Sequence, residues 1–523
     1  FEAISADQNG RPAANNTKFK TSELAFFVQD DWKFRPNLTL NLGLRWSYYS
    51  PIKASDGVLG NLIPDANGGL AGAVISTDKT LYDSSYTNFG PQLGLAWSPE
   101  RFDNKLVIRT GFGIGYDRLP NALLANARRN PPNGALFNIC CGTHPTDFGT
   151  PFAGGLITFV NSTDGTITGY PANPVLGGGT NPTNGLPNNG AVEIYGAPRD
   201  LPTAYIYRYS FEGQYELPMS LIATLGYQGS AGRHFVRILP LHIMGSSTNP
   251  NIGAAYFASP DVNTSFNGMN ARLQGRLLRQ FNFDINYRYS KSIDTVSFEG
   301  PTGATNQSFP VDQREERGPS DFDVRHNISA SGLWDIPSFW NRSSWQHKVL
   351  GGWQINGIVT YHTGFPWTPK LFGCLLGTTT NNFCDPRPTQ YFGGRPLSNT
   401  NENFLQPGGI FPGGGDDYFS TTIPFNGNPF QNRPGIGRNS FRGPRYFSLD
   451  MAFAKEFGLP NTGFLGEGAK VDLRFNFYNI LNTLNLAPFN SNSDPTRVTL
   501  TSFGTATSAL SGRVGEFQVR FSF

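Results

Sequence analysis

The sequence predicts an all-β protein, a transmembrane antiparallel β-barrel of the outer membrane built from about 13 strands. Three observations predict it. Apolar and polar side chains alternate with period two in segment after segment along the chain. The links between those segments are short and long by turns. The last nine residues, Gly515 to Phe523, alternate without a break and stop on an aromatic.

Composition agrees with the first observation. Charged residues are 15% of the chain, against roughly 25% in ordinary soluble domains. No run of about 18 apolar residues occurs, which excludes a transmembrane helix; a barrel strand needs only about 9–11 residues. A formal charge of +3 implies no nucleic-acid partner. The chain opens on Phe1 without a basic n-region or apolar h-region, so any export signal is expected to have been removed or to lie outside this sequence.

The clearest strands set Leu38, Leu40, Leu42, Leu44, Trp46 and Tyr48 against Thr39, Asn41, Gly43, Arg45 and Ser47, and Phe281, Phe283, Ile285, Tyr287 and Tyr289 against Asn282, Asp284, Asn286 and Arg288. The same alternation recurs from Tyr205, Leu221, Trp353 and Val471. Weaker examples lie near 22–34, 88–98, 105–117, 267–279, 323–336 and 445–457, and the terminal strand completes the set. Short links fall at Arg35-Pro36-Asn37, Leu217-Pro218-Met219 and Arg279-Gln280, among others. Long loops are expected near 50–86, 118–203, 232–265, 292–322, 365–443 and 483–511. Short periplasmic turns and long extracellular loops are the pattern of bacterial barrels.

Loop parity sets direction. A final strand preceded by a long loop runs inward and ends in the periplasm. The first strand then also runs inward, and the count is odd. Bacterial single-chain barrels are even-numbered, and an open edge in lipid costs several kcal/mol per unpaired backbone group. An odd number of further strands is therefore expected upstream of Phe1.

Several segments resemble the Oar-like TonB-dependent receptors. They are Phe27-Val28-Gln29-Asp30-Asp31-Trp32-Lys33 with Leu38 to Arg45, Ser290-Lys291-Ser292-Ile293-Asp294, Glu316 to His326, Gly351-Gly352-Trp353-Gln354-Ile355, Thr363-Gly364-Phe365-Pro366, Arg438 to Pro444, and Phe475 to Asn482. The resemblance implies a barrel of about 22 strands enclosing an N-terminal plug. It also implies a TonB box and often a carboxypeptidase-regulatory-like domain. About nine strands would then precede this sequence, together with the plug.

Candidate sites each carry two readings. Arg45, Arg109, Arg208, Arg272, Arg288 and Arg474 fall on the polar faces, where they either satisfy a plug or attract an anionic solute. Asp323 and Arg325 belong to the densest mixed-charge segment and are expected to face the lumen, in a structural network at the extracellular rim or in contact with ligand. Phe365, Trp367, Phe404, Tyr418 and Phe419 lie in the long 365–443 loop, where they pack together or touch ligand. Gly111, Gly113 and Gly115 sit at every second position of a strand with no GK[ST] after them. They read as lumen-facing glycines rather than a phosphate loop.

All four cysteines fall in expected extracellular loops, an oxidising setting. Cys374 and Cys384 are expected to pair, and the pairing of the adjacent Cys140 and Cys141 stays open. Catalytic signatures such as HExxH, GxSxG and Walker A do not occur, so neither an enzyme nor a cofactor or metal site is expected.

The function expected is that of an outer-membrane receptor for TonB-dependent uptake of an unidentified solute. Its expected partners are outer-membrane lipid, the TonB complex through the upstream region, and the barrel-assembly machinery, which would read Phe517, Val519, Phe521 and Phe523. A passive porin and a structural or adhesive surface barrel remain alternatives.

Overall fold

The structure, a computed structural model, describes residues 3–6, 18–55, 57–138, 180–188, 192–244, 249–277, 280–298, 307–309, 311–337, 344–371, 386–394, 396–422, 433–459, 468–489 and 494–523. A 17-stranded sheet dominates it. Its wall is a meander of β1 (Glu23–Arg35), β2 (Leu38–Tyr49), β3 (Phe89–Trp97), β4 (Leu106–Asp117), β5 (Ala204–Leu217), β6 (Leu221–Pro240), β7 (Ile252–Leu277), β8 (Phe281–Asp294), β9 (His326–Asp335), β10 (Trp353–His362), β11 (Tyr446–Gly458), β12 (Lys470–Tyr478) and β13 (Val514–Ser522). Each pairs antiparallel with the next. The expected strands are thus the observed ones.

Register carries one face unbroken from strand to strand, because a one-residue slip would turn every side chain to the other side. Asp31 lies opposite Asn41, Asn41 opposite Gly94, and Gly94 opposite Gly111. The same row continues through Ser210 and Gln228. On the other face Leu42, Leu93 and Phe112 follow one another across neighbouring strands, all exposed. The polar row lines the lumen and the apolar row meets lipid.

Turns at one end are short for local reasons. Asp103 and Asn104 take positive φ between β3 and β4, a region that Asp and Asn tolerate better than most side chains. At the other end the connections fold into three hydrophobic clusters. One expectation fails there. The segment 232–265 is mostly strand: β6 runs on to Pro240 and β7 starts at Ile252. These arms pair with each other beyond the wall. The extra length is stabilised by burial of Ile238, Ala254, Tyr256 and Ala258 in the first cluster. Burying such side chains contributes roughly 25 cal/mol per Å². The parity of the strands is unchanged.

Among the described residues no ladder register joins β13 to β1. Nearly every residue of both strands is exposed on both faces. Thirteen antiparallel strands also leave the first and last running in the same direction, so these two edges cannot close on each other with antiparallel bonds.

Candidate functional site

The lumen wall brings the predicted arginines onto one surface and gives them different neighbours. Arg272 donates to both carboxylate oxygens of Asp284, at 2.9 and 2.5 Å. Arg109 reaches Gln214 at 2.9 Å and Glu212 at 3.4 Å. Arg288 donates to Asn270 and Arg45 to Ser47. Arg474 borders a periplasmic-end hollow of about 430 Å³ with Glu456, Asp472 and Arg520. Mixed charge of this kind focuses little field of one sign.

Arg208 lies in a hollow of about 630 Å³, beside Gln29, Asn41, Gln92 and Ser210. Glycine makes this space. Gly94 and Gly111 lie opposite each other on β3 and β4, and a Cβ on Gly113 would come within 2.2 Å of the Gln92 side-chain oxygen. Small residues here keep the wall thin where amide side chains crowd it.

The mixed-charge segment is placed differently from expectation. Strand β9 begins only at His326, and Asp323 is 1% exposed beneath the loops rather than open to the lumen. Its carboxylate accepts from Ser292 N at 2.6 Å, from Arg325 at 3.2 Å, and from Arg442. Next to it, the fully buried Glu316 accepts from Arg387 at 2.8 Å and from the backbone of Ser308 and Phe309. Arg438 donates to the Glu316 carbonyl and to the Asp294 carbonyl. Burial pushes the Arg387 guanidinium below its ordinary range, and Glu316 opposes that shift. Such a network holds only while it stays complete, because a single buried ion left without its partner is strongly destabilising.

The five predicted loop aromatics divide in two. Trp367, Phe404 and Phe419 are buried in one cluster with Phe411, Phe489 and Phe503. Trp367 meets Phe489 edge-on at 5.2 Å, an arrangement that adds to simple area burial. Phe365 and Tyr418 are only half-buried, the first beside His362 and the second against Phe411. Cys140, Cys141, Cys374 and Cys384 lie outside the described residues. On β13, Phe517, Val519 and Phe521 point outward and Phe523 is exposed at the end.

A cavity that the sequence reading did not single out opens at the extracellular mouth. It holds about 410 Å³ and is lined by Tyr49, Tyr82, Leu123, Pro202, Phe235 and Phe298, with Asp117 and Arg118 at its edge. Arg118 donates to Glu23 at 2.8 Å. Burial pushes the Tyr82 hydroxyl up to about 12, so it stays protonated. The run Tyr116-Asp117-Arg118-Leu119-Pro120, where β4 ends and charges follow an aromatic, was the available signal for this cavity.

A family model described as an outer membrane beta barrel domain matches residues 4–519. The chain belongs to that family. As an outer membrane beta barrel domain protein it resides in the bacterial outer membrane, with the lipid and lumen faces described above. It is similar in structure to the outer membrane transporter YddB from Escherichia coli, at 10% identity and TM-score 0.46, over 96% of this chain and 54% of that one. The ferripyoverdine receptor of Pseudomonas aeruginosa gives 10% and 0.43, over 96% and 38%. The FrpB iron transporter from Neisseria meningitidis gives 11% and 0.41, over 97% and 47%. The chain thus spans about two-fifths to a little over half of the structures it resembles. No curated protein matches its sequence significantly.

Proposed function

We propose that this chain is the C-terminal barrel portion of a TonB-dependent outer-membrane receptor of the Oar-like kind. The observation that carries this reading is the continuity of a polar lumen wall with a vestibule cavity that folded extracellular loops build above it. The motifs in the 27–45, 290–326 and 438–482 segments support it. Loops capture a solute from outside, and a plug upstream of this sequence moves when TonB, driven by the inner-membrane proton gradient, pulls on it.

In this reading Arg45, Arg109, Arg208, Arg272, Arg288 and Arg474 present the surface that a plug meets. Phe365 and Tyr418 keep exposed ring area for ligand contact, while Trp367, Phe404 and Phe419 hold the loop in shape beneath them. The outward aromatics of β13 serve recognition by the barrel-assembly machinery. The barrel supplies walls and specificity without bond chemistry.

The test is depletion of solutes from growth medium by cells that make the full-length protein, followed by untargeted mass spectrometry. A solute removed only by expressing cells, and no longer removed after a protonophore, is the expected result. Depletion that survives the protonophore would mark a passive porin and end the active-transport reading.

A further inference from the structure

We infer that the free edge of β1 is covered by a β-strand carrying a cationic side chain on its outward face, opposite Asp30. The inference rests on the reading above in one respect, namely that this strand belongs to the polypeptide upstream of Phe1.

Asp30 faces lipid. Its register partner is Leu42, which continues into Leu93 and Phe112 on the apolar face, whereas Asp31 bonds Asn41 on the lumen side at 2.5 Å. Leu24, Phe26, Val28, Trp32 and Phe34 share its face and all are exposed. No other carboxylate of the described wall strands does so. Across the membrane-crossing ladder Asp31, Glu212, Asp284, Asp450, Asp472 and Glu516, like the rest, sit at lumen-facing registers.

Depth makes the position costly. Asp30 lies two residues above Trp32, about 6–7 Å along the strand and on the membrane side of the interfacial aromatics. Among the described residues its carboxylate has neither a hydrogen bond nor an ion pair. An ion in hydrocarbon is tolerated when it is paired, and the outward residues of β2 beside Asp30, namely Leu40, Leu42 and Leu44, are apolar. The remaining direction is the unbonded edge of β1. That edge also holds a row of backbone groups that lipid cannot satisfy. One occupant answers both needs: an antiparallel strand whose outward residue, directly opposite or diagonal to Asp30, is Lys or Arg.

Two measurements on the full-length polypeptide in outer membranes test this. A photo-cross-linking residue in place of Val28 should map into the chain upstream of Phe1; products on another chain, or on lipid alone, would overturn the upstream assignment. Independently, Asp30→Leu should lower the urea midpoint for loss of the heat-modifiable folded band, with Asp30→Asn falling between it and the parent. Asp30→Lys should lose the band and regain it when the cross-linked strand carries a carboxylate opposite. If Asp30→Leu or Asp30→Asn matches or exceeds the parent midpoint, as a carboxylate facing bare lipid would give, the cation is refuted whatever the cross-link shows.

Discussion

Arg438 and Asp294 stand 144 positions apart and meet inside the extracellular loops, where Arg438 donates to the Asp294 carbonyl at 2.8 Å and to its carboxylate. Both side chains are almost wholly buried. The pair fastens the exit of β8 to the segment leading into β11. Loop shape and barrel wall are thereby joined at one charged contact.

Breaking the neighbouring pair should loosen loops and leave the wall standing. Arg387→Met strands the Glu316 carboxylate in a buried site, at a cost of about 3–5 kcal/mol. Limited proteolysis of intact cells should cut the 307–321 region faster, while the folded barrel band on unheated gels persists.

The aromatic cluster separates structural from ligand-contacting rings. Trp367→Ala should cost about 3–5 kcal/mol through the cavity it leaves, read as protease sensitivity of the loop around it. Phe365→Ala and Tyr418→Ala should leave protease protection within the parent's range and lower solute uptake.

Acid should weaken the extracellular arms through His242. Burial holds its pKa below the ordinary 6.5, and its Nε2 has no partner, so the neutral ring is the folded form. The unfolded arm takes up the proton more readily than the folded one. Stability is therefore full above pH 6.5 and declines as pH falls below it toward the lowered folded value. Amide exchange of β6 and β7 beyond Gly232 should accelerate in that window, and His242→Leu should remove the pH dependence.

Filling the lumen hollow should impair passage more than folding. Gly113→Leu places its side chain against the end of the Gln92 side chain, which gives up its hydrogen bond to the Ile114 carbonyl, rather than against backbone. The expected outcome is a normal folded band with reduced uptake.

The wall was legible because lipid and water impose opposite chemistry on alternate residues; Leu38 to Tyr48 shows this with no exception. The arms at 232–265 were not, because beyond the membrane their faces meet protein and the alternation fades around Pro260 and Asp261. Burial of Asp323 could not be read either. Its partner Arg442 arrives from a loop 119 positions away, and local sequence holds no trace of that encounter. The vestibule likewise gathers Tyr49, Tyr82, Phe235 and Phe298 from four separate segments.

Cysteine labelling along β5 tests the barrel most directly. Single cysteines would replace Arg208, Tyr209, Ser210, Phe211 and Glu212 in a full-length protein whose native cysteines are serine, and intact outer membranes would be treated with a membrane-impermeant maleimide. Labelling at 208, 210 and 212 with protection at 209 and 211 is the predicted result. Equal labelling of all five positions would contradict a wall with one face in lipid and the other in the lumen.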